Sequence, residues 1–146
     1  MSISSRFNEI VLYFNRYEPT QINNITLLNK INISKKILKE IAYPHTLIKI
    51  KYQIEPTTNI FFEEEYKNKK GYFSVRDILN KIINFYNKPL TELEISYIKY
   101  YGLKKNIKKL KKLSFNKQRS YYIYSNLFKG FKKIGEHTFE LLFVNF

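Results

Sequence analysis

Residues 73–102 read FSVRDILNKIINFYNKPLTELEISYIKYYG. Val75, Ile78, Leu79, Ile82, Ile83 and Tyr86 recur there at the three-and-four spacing of one helix face. Ser74 stands just before that pattern and Asp77 three residues after Ser74, the reciprocal arrangement of a capping box. Pro89 interrupts the helix, and Thr91 with Glu94 repeats the capping pattern. Leu93, Tyr97, Ile98 and Tyr101 then fall on one face, with Gly102 placed as a C-terminal stop. The stretch predicts a helix hairpin, with helices over 75–87 and 92–101.

Outward from the hairpin the period changes. Between Thr46 and Ile54, the side chains of Ile48, Ile50, Tyr52 and Ile54 alternate with Lys49, Lys51 and Gln53, the mark of a half-buried strand. Ile60 to Tyr66 reads as a further strand, followed by a turn over 68–71. On the C-terminal side, Tyr121–Phe128 and Thr138–Phe146 read as strands. Nearer the N-terminus, Ile10–Phe14 suits a buried strand. Ser34 can cap a short helix carrying Ile37, Leu38 and Ile41 on one face and stopped by Pro44. Residues 22–33 mix Asn with β-branched side chains and fit either strand or irregular chain. The expected fold class is α+β: a small antiparallel sheet from strands near 46–54, 120–128 and 138–146, packed against the two-helix hairpin, plus a basic amphipathic helix over 103–113. A single domain is expected over 1–146, with its core in 46–146 and an N-terminal segment, 1–45, of unassigned structure.

Composition narrows the classes of function. There is no cysteine, which removes disulfides, thiolate nucleophiles and the usual zinc sites together. No long apolar window predicts a membrane-spanning helix, and Met1–Arg6 does not begin a secretory signal. These features permit a reducing compartment such as the cytosol and predict that the protein is not secreted. Lys, Ile, Asn, Tyr and Phe dominate the chain while Ala occurs once, a bias toward residues with A- and T-rich codons. The net charge of +14 is unevenly placed. Residues 1–98 hold 14 basic and 10 acidic side chains, for +4, whereas residues 99–146 hold 12 and 2, for +10. Codon bias adds lysine everywhere but does not strip acids from one third of a chain, so the asymmetry predicts an electropositive face and an acidic partner.

Three stretches, Val75-Arg-Asp-Ile-Leu79, Asn87-Lys-Pro-Leu-Thr-Glu-Leu-Glu94 and Leu127-Phe-Lys-Gly-Phe131, occur in an order that resembles a domain-of-unknown-function family found in fungi and giant DNA viruses. The resemblance covers about residues 46–146 and leaves out the N-terminal third. The first strand, TLIKIKY here, lacks the tryptophan of the fungal members. The likeness implies a small α+β domain with a glycine-containing hairpin near 127–131 and, with the codon bias, a large AT-rich DNA virus as source. It implies no activity.

Catalytic chemistry finds little to work with. Two histidines, His45 and His137, and one aspartate, Asp77, are present, and no cofactor or metal is expected. Asp77 is occupied as a capping residue, and His137 after Gly135-Glu136 reads as a turn residue. Neighbours in a strand point to opposite faces, so Glu63-Glu64-Glu65 does not converge on a cation and reads as a solvated acidic edge. No serine sits in a nucleophile elbow, and the four glycines form no phosphate loop. Lys70-Gly-Tyr-Phe and Lys129-Gly-Phe-Lys are only fragments of an RNA-recognition motif, each without its small fourth residue.

The remaining feature is the basic run. Nine of the 21 residues from 99 to 119 are Lys or Arg and none is acidic. Leu103, Ile107, Leu110 and Leu113 fall on one stripe of a helical wheel, with Lys104, Lys105, Lys108, Lys109, Lys111 and Lys112 opposite. Such a helix can simply dock its apolar stripe on the protein's own core and leave the lysines in water. It can also follow the phosphates of a nucleic acid, supported by Lys117, Arg119, Lys132 and Lys133, with Tyr100, Phe115, Tyr121 and Tyr122 stacking on unpaired bases. An acidic protein surface in a virion and a membrane surface are further partners of the same sign. The expected function is a non-enzymatic, sequence-independent nucleic-acid binder of a large virus. The alternative is a virion structural or adaptor protein docking an acidic partner.

Overall fold

Ser74 starts the first long helix as its spacing predicts. In the computed structural model, which describes residues 2–55, 60–102, 117–122 and 127–144, the Ser74 hydroxyl accepts from the Asp77 amide at 3.1 Å and the Asp77 carboxylate accepts from the Ser74 amide at 2.9 Å. Helix α2, Val75–Asn87, buries the six expected positions and Phe85 besides. Helix α3, Glu92–Gly102, carries the second capping box: Glu94 Oε1 accepts from the Thr91 amide at 2.8 Å, and Thr91 Oγ1 accepts from the Glu94 amide at 3.1 Å. Of its expected buried face, Ile98 lies inside but Leu93 and Tyr97 do not. Leu93 and Tyr97 are 63% and 43% exposed, whereas Ile98 and the carboxylate residue Glu94 are buried. Tyr101's side chain lies outside the described residues. The helix is rotated so that a charge faces inward, and the reason lies in a partner far along the chain.

The hairpin covers one face of a six-stranded sheet. Its strands are β1 (Ile10–Tyr13), β2 (Thr26–Leu27), β4 (Leu47–Glu55), β5 (Ile60–Lys67), β7 (Leu127–Gly135) and β8 (Thr138–Phe143), in the order β2-β1-β7-β8-β4-β5. A ribbon of β3 (Ile41–Tyr43) and β6 (Phe73–Ser74) leads into α2. The class is α+β, but the sheet is mixed rather than antiparallel. β4 and β8 run parallel, with Ile50 opposite Phe139. Alternation in sequence shows which face of a strand is buried and is blind to its direction.

Ile48, Ile50 and Tyr52 point inward as predicted and are completely buried. Tyr52 stacks on Phe85 of α2 with ring centres 3.8 Å apart, and Tyr86 donates its hydroxyl to the Gln53 carbonyl at 2.9 Å. Burial, the first cause for both, pushes the Tyr52 and Tyr86 hydroxyls far above the ordinary tyrosine range. The outward face is a ladder of alternating charge. Lys132 stands opposite Glu140, Glu140 opposite Lys51, and Lys51 opposite Glu63, while Lys49 faces Glu65. The acidic triplet is exposed, as read from sequence.

Three boundaries differ from expectation. Of the strand read over 121–128, Leu127 and Phe128 lie in β7 while Tyr121 closes a 3₁₀ turn from Arg119, and residues 123–126 lie outside the described residues. Leu127–Phe131 lies inside β7 rather than at a hairpin tip. The β7–β8 turn falls at Glu136-His137, with His137 at φ +56°. Gly130 has φ +119° because β7 bulges there against Asn8, whose Oδ1 would lie 2.7 Å from an added Cβ. Helix α1, capped by Ser34, ends at Leu38, so Ile41 opens β3 and is 57% exposed.

The N-terminal segment belongs to the same core. Leu12 of β1 pairs with Phe128 of β7, and Phe7, Ile10, Leu12 and Phe14 are buried. Phe7 meets Phe131 edge to face at 5.1 Å, a favoured aromatic geometry. Arg6 donates two hydrogen bonds, at 2.8 and 2.9 Å, to the Glu40 carboxylate just before β3.

Candidate nucleic-acid interface

The residues expected to grip phosphate scatter across several environments. Lys104, Lys105, Lys108, Lys109, Lys111, Lys112 and Phe115 lie outside the described residues. Lys117 is exposed, as are Lys132 and Lys133 of β7, although Lys132 sits directly across from Glu140. Arg119 is a correction. Its side chain is buried, donating from Nε and Nη2 to the Glu94 carboxylate at 3.0 and 2.8 Å and from Nη1 to the Phe85 carbonyl at 3.0 Å. The guanidinium also lies 4.0 Å from the centre of the Phe85 ring. Desolvating a charge is offset only by such a complete set of partners, so this arginine is spent on the fold. It is also the partner that turns Glu94 inward on α3.

Of the stacking candidates, Tyr100 is 61% exposed, Tyr121 is half-buried and Tyr122 is buried. Tyr122 is therefore a second correction. Its hydroxyl accepts from the Lys117 amide at 3.2 Å, and burial raises its pKa. A phenol held in this way supports the chain beside the basic run instead of presenting a ring to solvent.

The C-terminal end of the basic run is tied down residue by residue. Gln118 forms a backbone bridge to Pro89, and the Arg119 amide donates to the Lys88 carbonyl at 2.8 Å. Gln118 Nε2 donates to the carbonyls of Asn15 and Glu18, each at 2.8 Å, and the Ser120 hydroxyl donates to the Asn15 carbonyl at 2.6 Å. Those bonds organise a loop that sequence reasoning passed over. Asn15 Oδ1 accepts from the amides of Tyr17 and Glu18 at 2.8 and 2.9 Å, an Asx turn. Asn87 closes its far end by exchanging two hydrogen bonds with the Thr20 backbone.

The loop walls a cleft of about 520 Å³ lined by Tyr13, Arg16, Tyr17, Glu18 and Asn24, among others. Tyr13 and Tyr17 are 62% and 78% exposed there, and Tyr17 touches Tyr121 edge-on at 5.8 Å. The turn-forming string Asn15-Arg-Tyr-Glu-Pro19 was the available signal. No protein-family model, curated protein or solved structure matches the chain.

The two histidines meet each other rather than a buried acid. Their rings stand 4.5 Å apart, and His137 Nδ1 lies 2.6 Å from the Tyr43 hydroxyl. Burial is the first cause of the raised pKa of that hydroxyl, followed by the charge of Glu136. The Glu136 carboxylate is 3.8 Å from His137 Nε2 but its side chain is 91% exposed, so it stands in water. Among the described residues, no three His, Asp or Glu side chains gather as metal ligands, and no helix is long and apolar enough to cross a membrane. Lys129-Gly-Phe131 offers no base-stacking ring either, since Phe131 is packed against Phe7, Phe128 and Phe139.

Proposed function

We propose that this chain is a non-enzymatic, sequence-independent nucleic-acid-binding protein of a large AT-rich DNA virus, related to the fungal and giant-virus family that its three motifs resemble. The observation that carries the reading is the charge distribution: residues 99–119 hold nine basic side chains and no acid. Lysine outnumbers arginine eight to one in that run. This suits phosphate contacts, because arginine is the usual bidentate reader of bases. Support also comes from the anchoring at the end of the run, where Gln118, Arg119 and Ser120 are bonded to three separate parts of the fold. A basic segment whose exit is held rigidly loses less freedom on binding than a loose tail. The phosphate-contacting set is Lys104, Lys105, Lys108, Lys109, Lys111, Lys112 and Lys117, with Lys133 at the sheet and Arg119 no longer included.

The test is binding of a fluorescent duplex and a fluorescent single strand over a salt series, with wild type and a variant carrying Gln at the six lysines between 104 and 112. Log affinity should fall with log salt by about 0.9 per phosphate contact on a duplex, and the slope should flatten in the variant. Absence of binding at physiological salt, or binding indifferent to the six changes, would discard this function in favour of protein docking or a solvated helix face.

A further inference from the structure

Building on the nucleic-acid reading, we infer that the cleft under Asn15–Thr20 is a base-stacking subsite that selects unpaired strands over duplexes. Three facts converge on it. First, it concentrates exposed tyrosine: Tyr13 is 62% and Tyr17 78% exposed, and Tyr121 supports the Tyr17 ring from its edge at 5.8 Å. A phenol ring left in water with its polar tip unburied presents a π-face that any base can cover, whatever its identity.

Second, the backbone that carries the Tyr17 ring is held in place. The Asx turn at Asn15 fixes the amides of Tyr17 and Glu18, and Gln118 and Ser120 fix the carbonyls of the same loop. A pre-positioned aromatic gives up little entropy when a base lands on it. Stabilising the core does not call for this arrangement, since Tyr17 contributes little buried area.

Third, the cleft adjoins the basic run through the same residues that build it. Lys117 is exposed immediately before Gln118, and Arg16 lines the cleft. Glu18 lines it too and offsets Arg16 in charge, with Lys117 beside Gln118 adding a positive charge next to the lining. The cleft therefore stands beside Lys117, the basic residue just before the Gln118 that bonds its loop. The volume of about 520 Å³ has room for a nucleobase and its sugar. In a duplex the bases are stacked and paired within the helix, so their faces are closed to such a site.

The experiment compares wild type, Tyr17→Ala, the double variant Tyr13→Ala with Tyr17→Ala, and the six-lysine variant. Each is titrated into a thymine-rich single strand containing 2-aminopurine and, separately, into a labelled duplex of equal length. Loss of one stacked base corresponds to about ten-fold in affinity. The tyrosine variants should therefore lose about that factor on the single strand, along with the stacking-induced quench of 2-aminopurine, while their duplex affinity stays at the wild-type value. The six-lysine variant should weaken on both ligands. If wild type binds both ligands and the tyrosine variants match it on the single strand, the subsite is refuted and the phosphate grip stands. Equal losses on single strand and duplex refute the selectivity. If wild type binds neither ligand, both readings fall together. Because Tyr13 and Tyr17 are largely exposed, circular dichroism and thermal midpoints should be unchanged in these variants.

Discussion

The two long helices open with the same four-residue device, and its two copies live in different physical worlds. At α2, Asp77 closes the cap with Ser74 and pairs with Lys70 at 2.7 Å, the two side chains being 31% and 47% exposed. At α3, Glu94 closes the cap with Thr91 and pairs with Arg119 at 2.8 Å, with side chains only 5% and 7% exposed. The first tie joins residues seven apart within one turn and its approach. The second reaches 25 residues along the chain and holds the 3₁₀ turn at Arg119 against both helices. Identical local chemistry thus gives a surface trim in one case and a structural joint in the other. Solvent decides which, because water screens Lys70–Asp77 while Glu94 and Arg119, among the described residues, are buried against each other, Thr91 and Phe85.

That contrast breaks most visibly at the buried joint. Arg119→Met leaves the Glu94 charge buried without its partner and should destabilise the protein by about 3–5 kcal/mol in urea unfolding. Combining it with Glu94→Leu should recover much of the loss, keeping only the smaller deficit of the missing cap. A double variant no better than Arg119→Met alone would mean that the charge pair is not what holds the segment.

At the exposed cap the effects shrink. Asp77→Ala should cost about 1 kcal/mol near neutral pH, the usual range for a lost cap. Burial acts to raise the Asp77 pKa, but hydrogen bonds from Lys70 and Ser74 outweigh it and leave the carboxyl below its ordinary value. A depressed folded pKa gives stability that is complete above the unfolded value, about 3.9, and is lost as pH falls through the folded one. The gap between wild type and Asp77→Ala should therefore close in acid unfolding below about pH 4 and stay constant above it. A gap that persists there would assign the effect to packing. Lys70→Ala, at the weakest end, should leave the urea midpoint where it is, since the Ser74 bonds to Asp77 remain.

Much of this fold can be read without coordinates. Both capping boxes, the inward face of α2, the alternation of β4, the Ser34 cap and the turn at His137 follow from spacing and residue type alone. These are local properties, set by periods of 3.6 and 2 and by which side chains reach a neighbouring amide. The mixed sheet was not legible, because a strand's pattern is the same whichever way its neighbour runs. Ile10–Phe14 was legible as a buried strand but its partner was not, since Leu12 and Phe128 are brought together only by tertiary pairing.

The sequence by itself determined the fold class, the two helix starts and the concentration of positive charge after residue 98. Only the tertiary structure decided what individual charges and rings do. An arginine in a basic run looks like its neighbours until a buried carboxylate from another helix meets it. A tyrosine in an Asn-Arg-Tyr-Glu-Pro turn looks ordinary until residues a hundred positions later hold that turn open to solvent. Burial and long-range partners set the energy of a polar group, and neither is written in its immediate neighbours.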